Sequence, residues 1–103
     1  MSINLFDLTN RVAIITGGAG LLASEHAIAL SNYGAKVVLA DFNLEKCKSP
    51  VDILQKQSIN AVAKFCDVTK KESWEALLLE VLKEFGSVDI LINNAGFTNQ
   101  SKS

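Results

Sequence analysis

Val12-Ala13-Ile14-Ile15-Thr16-Gly17-Gly18-Ala19-Gly20-Leu21-Leu22-Ala23 runs from an unbroken apolar segment through a glycine turn into alanine-rich chain. A second apolar run, Lys36-Val37-Val38-Leu39-Ala40, follows and ends on Asp41. The order predicted is strand, glycine turn, helix, strand. The first strand is apolar on both faces, as a buried parallel strand must be. A strand that enters a helix through such a turn gathers backbone N–H groups around one spot. The helix N-terminus adds partial positive charge there, which suits a phosphate or pyrophosphate. An acid at the tip of the next strand can accept hydrogen bonds from a ribose.

Each small residue of the turn has a physical task. Gly17 ends the strand in a tight turn, and Gly20 lets backbone approach a ligand closely. Ala23 stands where helix packs on strand, a place that tolerates alanine. Ile15 stands where G-x-G-x-x-G would have its first glycine, and no Gly-Lys-Ser/Thr follows, so this is not a P-loop.

Outward from this core the pattern repeats. A strand is expected over 11–16 and a helix over 20–33. Ala23, Ala27 and Leu30 form the helix's packing face, and Gly34 ends it. A second strand covers 36–40. Pro50 argues against a helix through 43–57; Ser49-Pro50-Val51-Asp52 reads as a new start, so a turn is expected at 43–48 and a helix over 50–57. A third strand spans 61–66. Thr69-Lys70-Lys71-Glu72 has capping-box form and opens a helix. Trp74, Leu77, Leu78, Val81, Leu82 and Phe85 give that helix one apolar stripe, and Gly86 ends it. The fourth strand is 88–93. The segments between strands are too long for hairpins, so the sheet is parallel with right-handed crossovers.

Composition narrows the function classes. A chain of 103 residues makes one small domain, and 49% hydrophobic with 20% charged residues is ordinary for a globular one. Net charge is −1 without a basic cluster, which argues against nucleic acid. No apolar run has membrane-spanning length, and residues 1–11 lack signal-peptide form. Cys47 and Cys66 have neither metal nor redox spacing; reduced thiols in the cytoplasm are expected.

Thr16 to Ala23, Asp41, Asp67-Val68 and Asn93-Asn94-Ala95-Gly96 resemble the short-chain dehydrogenase/reductase family. The likeness runs from about Leu5 to Gly96, and Asn-Asn-Ala-Gly closing an apolar strand is its most specific piece. One branch of that family carries T-G-x-x-x-G-x-G, which would want glycine at Leu21 and Ala23. The spacing here is closer to the T-G-x-x-G-x-x-G/A of the extended branch, while the Asn-Asn-Ala-Gly is that of the first, classical branch. The resemblance implies an α/β, Rossmann-type parallel sheet with helices on both faces. That sheet is partial here: four strands in the order 3-2-1-4, in a single domain over 1–103.

The resemblance also implies a cofactor site made of Gly17, Ala19, Gly20, Leu22, Asp41, Phe42, Asp67, Val68, Asn94, Ala95 and Gly96. Asp41 would accept from the adenosine ribose hydroxyls and repel a 2′-phosphate. Phe42 and Asn43 bring no cation to offset this, so NAD is expected over NADP. Asp67 and Val68 would meet the adenine ring. Asn93 would brace the sheet, and the backbone of Asn94-Ala95-Gly96 would lie beside the cofactor. His26 reads as an ordinary helix residue, and Tyr33 has Val37, not lysine, four residues on. No metal site is expected.

The family's catalytic Asn, Ser and Tyr-x-x-x-Lys lie downstream of the Asn-Asn-Ala-Gly strand, and these residues contain no Tyr-x-x-x-Lys. The expectation is the NAD-binding portion of a longer oxidoreductase, catalytically incomplete by itself. A complete enzyme would transfer hydride between the nicotinamide and an alcohol or carbonyl carbon. Two other readings stand beside it: a non-catalytic nucleotide-binding or regulatory module, and one half of a split enzyme. In the order 3-2-1-4 the strand 88–93 is an apolar edge, so self-association through it is expected.

Overall fold

The computed structural model describes residues 7–94. Four parallel strands form one sheet in the order β3-β2-β1-β4. They are β1 (Val12–Thr16), β2 (Lys36–Asp41), β3 (Ala61–Phe65) and β4 (Ile90–Asn93). Helices α1 (Leu21–Ser31), α2 (Lys48–Lys56) and α3 (Lys71–Phe85) make the crossovers. Val12 to Thr16 are all buried, because β1 lies between β2 and β4 and is covered on both faces.

Alternation along the strands divides the core in two. Val12, Ile14, Val38 and Ala40 share one face with Leu77 and Val81 of α3. Ile15, Val37, Leu39 and Ala61 share the other with Ala23 and Ala27 of α1 and Leu54 of α2. Ala23 and Ala27 are 1% and 0% exposed, so the small face of α1 sets how closely helix meets sheet. Of the α3 stripe, Leu77 and Val81 are fully buried; Leu82 is 46% exposed and belongs to the outer flank.

Two starts differ from expectation. Residues 44–47 form a 3₁₀ turn that runs directly into α2 at Lys48. Ser49 is therefore inside the helix rather than capping it. Pro50, its third residue, breaks nothing there, because first-turn N–H groups have no intrahelical acceptor anyway. The cap belongs to Asn43, whose Oδ1 accepts from the Lys46 amide at 3.3 Å. The expected capping box at Thr69 is also absent. The Thr69 hydroxyl donates to Asp67 Oδ1 at 2.6 Å, and α3 begins after Lys70 with no side-chain cap. Gly86 closes α3 in the left-handed conformation, at φ 90°.

Candidate functional site

In a parallel sheet of this kind the carboxyl ends of all strands face the same way, and ligands bind across them. Here those ends bring together the glycine turn, Asp41, Phe65 to Val68, and Asn93-Asn94. The turn is shaped by its glycines. Gly17 has φ 67°, the left-handed region that glycine occupies without strain. Gly18 is buried against β2: a Cβ on it would stand 2.7 Å from Leu39 Cβ and 2.9 Å from the Leu39 carbonyl carbon. Sequence spacing assigned no task to Gly18, because its constraint comes from the neighbouring strand.

The turn is stitched to β2 by its own amides. Gly18 N–H donates to Ala40 O at 3.0 Å, Ala19 N–H to Asp41 Oδ2 at 3.1 Å, and Gly20 N–H to Gly17 O at 3.0 Å. These three amides are thus engaged within the protein. The amides a helix leaves without an intrahelical acceptor are those of its first turn, Leu21, Leu22 and Ala23. Ser24 is the first to donate back, to Gly20 O at 3.4 Å. The amide of Ala19, a residue expected among the cofactor contacts, holds the carboxylate of Asp41, the last residue of β2.

Asp41 is half-buried and accepts two backbone amides, Ala19 on Oδ2 and Asn43 on Oδ1 at 2.8 Å. Each carboxylate oxygen keeps a second lone pair for another donor. Phe42 beside it is 68% exposed. Its ring meets that of Phe65, with centroids 5.9 Å apart and planes tilted by 46°. Phe65 also lies directly across from Asp41 in the β2–β3 register.

Asp67 Oδ1 takes both the amide and the hydroxyl of Thr69, and these bonds, the hydroxyl first, hold its pKa below the usual carboxylate value. Among the described residues Oδ2 accepts nothing. Val68 is half-buried, and its carbonyl accepts from Trp74 Nε1 at 3.2 Å, which anchors the turn after β3 to α3. Trp74, expected as a plain core residue, thus also fixes the position of Val68.

At the end of β4 the bracing expected of Asn93 is present. Thr16, buried at the tip of β1, donates its hydroxyl to Asn93 Oδ1 at 2.8 Å and accepts the Asn94 amide at 3.0 Å. Asn94 Nδ2 is buried with no partner among the described residues. Ala95 and Gly96, also assigned to the cofactor, lie outside the described residues. Leu22 is 51% exposed at the start of α1.

The two cysteines are buried free thiols. Burial, aided by the charge of Asp41, pushes the Cys47 thiol up to about 11. Burial also raises Cys66, with Ser73 partly opposing it. Neither is a thiolate at neutral pH. Among the described residues no His, Cys, Asp and Glu cluster could hold a metal ion. No helix there is long and apolar enough to cross a membrane.

A parallel α/β sheet with a glycine turn, a helix N-terminus and an acid at its carboxyl ends defines a dinucleotide-type Rossmann arrangement. The chain belongs to the short-chain dehydrogenase family, whose model matches residues 11–103. It is similar to 5-keto-D-gluconate 5-reductase of Escherichia coli (strain K12), 34% identical over 93 residues, 90% of this chain and 37% of that protein. It is also similar to 7alpha-hydroxysteroid dehydrogenase of the same strain, 38% identical over 89 residues, 86% of this chain and 35% of that one. The chain therefore spans little more than a third of these relatives. Among solved structures, a hydroxysteroid dehydrogenase from Escherichia coli superposes with a TM-score of 0.80 at 34% identity, over 87% of this chain and 38% of that one. An NAD+-bound xylitol dehydrogenase superposes with a TM-score of 0.75 at 26% identity, over 82% of this chain and 32% of that one. Enzymes of this family use nicotinamide cofactors.

Proposed function

We propose that this chain is the NAD-binding portion of an oxidoreductase that interconverts an alcohol and a carbonyl compound. The observation that carries the reading is the hydrogen bond between Asp41 and the glycine turn. It sets the ribose acceptor next to the amides that would meet a pyrophosphate. The residues fit the cofactor. Leu21, Leu22 and Ala23 offer first-turn amides and the positive end of α1 to the phosphates. Asp41 offers open lone pairs to the ribose, and Val68 and Phe42 offer apolar surface to a base. The cofactor, when bound, supplies the hydride acceptor or donor; the chain's own part is to bind and orient it.

NAD rather than NADP follows from charge. A 2′-phosphate would stand against the Asp41 carboxylate, and the next two residues, Phe42 and Asn43, are neutral. Of the lysines further along, Lys46 lies close in sequence and Lys48 is paired with Glu45 at 3.3 Å. The acid/base for proton transfer is not among these residues, which contain no Tyr-x-x-x-Lys. Two of the similar proteins are named for a keto-sugar acid and a hydroxysteroid, so the shared chemistry is an alcohol–ketone pair rather than one substrate.

Isothermal calorimetry tests the reading. The wild-type chain should bind NAD more tightly than NADP. Asp41→Ala should weaken NAD by about 10- to 100-fold, as expected for hydrogen bonds to a charged acceptor, and leave NADP no worse. Equal wild-type affinity for the two dinucleotides would refute the ribose assignment.

A further inference from the structure

Two large aromatic side chains stand in solvent at the adenosine end of the proposed site. Phe42 is 68% exposed and Phe65 49% exposed. Leaving that much ring surface in water is unfavourable by itself, since burying aromatic surface is among the larger stabilising contributions in proteins. The two rings reduce the cost by meeting each other, at 5.9 Å between centroids and 46° between planes, which is a favourable tilted geometry.

Phe65 is tied to this place by four separate relations. It is the last residue of β3 and pairs in register with Asp41. In a parallel pair, residues directly opposite present their side chains on the same face, so Phe65 and Asp41 are neighbours there. Its ring touches that of Phe42, the residue after Asp41. Two residues further on is Asp67, whose turn is held by Thr69 and whose next residue, Val68, is anchored by Trp74. The strand is also continued past Phe65, because Cys66 N–H donates to Asp41 O at 3.1 Å. Phe65 therefore stands on rigid backbone, while Phe42 stands beyond the end of β2 at a bend. A ring on a bend needs a second contact to hold one orientation.

We propose that Phe65 is a positioning residue for the adenosine end of the cofactor: its ring buttresses Phe42, so that Phe42 presents one fixed apolar face to the purine beside Asp41. The inference rests on the NAD reading above and adds a residue to it. Phe65 acts through Phe42. Its effect on binding must therefore vanish when Phe42 is gone, which a residue serving only β3 would not show.

A double-mutant cycle on the full chain decides it, with NAD as the probe and calorimetry as the readout. Phe42→Ala and Phe65→Ala should each weaken NAD by about 2- to 10-fold, the range of an aromatic pair's contribution. The double variant should be no weaker than Phe42→Ala alone. Phe65→Tyr, which keeps the ring, should restore wild-type affinity. Phe65→Leu, which keeps apolar bulk without the ring and preserves the strand, should behave like Phe65→Ala; it also stands in for it should the alanine variant fail to fold. If Phe65→Leu binds NAD as wild type does while Phe42→Ala is weakened, the buttress is refuted and the NAD reading survives. Independent, additive losses would equally refute it. If the wild type shows no NAD binding, the NAD reading itself falls, and this inference with it.

Discussion

Gly18 shows what one missing side chain does for the site. Its amide donates to Ala40 O, and the space a Cβ would need is held by Leu39 and by the backbone nitrogen of Ala40 at 3.0 Å. These are strand atoms and cannot move aside. Gly18→Ala should therefore destabilise the chain by about 1–3 kcal/mol, the usual cost of overpacking, and thermal melts of the two proteins would show it. An unchanged melting temperature would mean that the turn does not lie against β2. Gly17 was legible from the sequence because a tight turn after a strand asks for positive φ. Gly18 was not, because its constraint comes from a strand that begins 18 residues later. Asp41 was legible as the acid at the tip of the second strand by its place after an apolar run. Its bond to Ala19 was not, since no local pattern says which amides of a turn are already engaged. Thr16 is a similar case: a buried hydroxyl that joins β1 to Asn93 and Asn94 reads in sequence as one more strand residue.

The order, type and parallel pairing of the elements were readable, because hydrophobic runs and helical stripes are long-range averages. Their starts were less so. Asn43, not Ser49, caps the segment leading into α2, and Thr69 turns to Asp67 instead of capping α3. In both places a side-chain oxygen had two rival amides or acceptors within reach, and only the packed geometry chooses. At the other end of the sheet, Asp89 joins the entry of β4 to β1. Its Oδ2 accepts the Val12 amide at 2.9 Å and the Ser87 hydroxyl at 2.8 Å, and Arg11 lies 3.5 Å from Oδ1. These bonds, the Val12 amide first, hold the Asp89 carboxyl below its ordinary pKa. A lowered folded pKa means that the unfolded chain takes up the proton first as pH falls. The stabilisation is thus complete above the ordinary carboxylate value, about pH 4, and is lost as pH falls through the lower folded value. Asp89→Asn should lower the melting temperature at neutral pH and reduce its fall as pH drops below about 4. Parallel pH profiles for the two proteins would contradict the assignment.

For the molecule as a whole, β1 and β2 lie inside the sheet while β4 is an edge, with Leu91 52% exposed. An edge strand reading Ile-Leu-Ile-Asn, with no charge or proline in it, is a template for pairing with another chain. We expect the isolated chain to self-associate through it. Light scattering after size exclusion should show a concentration-dependent dimer or larger species that Leu91→Lys shifts to monomer. A wild-type monomer at all concentrations would remove that expectation without touching the binding site. An amide-resolved NMR titration of the chain with NAD reports where the dinucleotide sits. The amides of Leu21, Leu22, Asp41, Phe42 and Val68 should shift together and saturate with one affinity, while those of Gly86 and Val12, at the opposite end of the sheet, stay in place. Shifts confined to that opposite end, or none at saturating NAD, would rule out a dinucleotide site at the carboxyl ends of the strands.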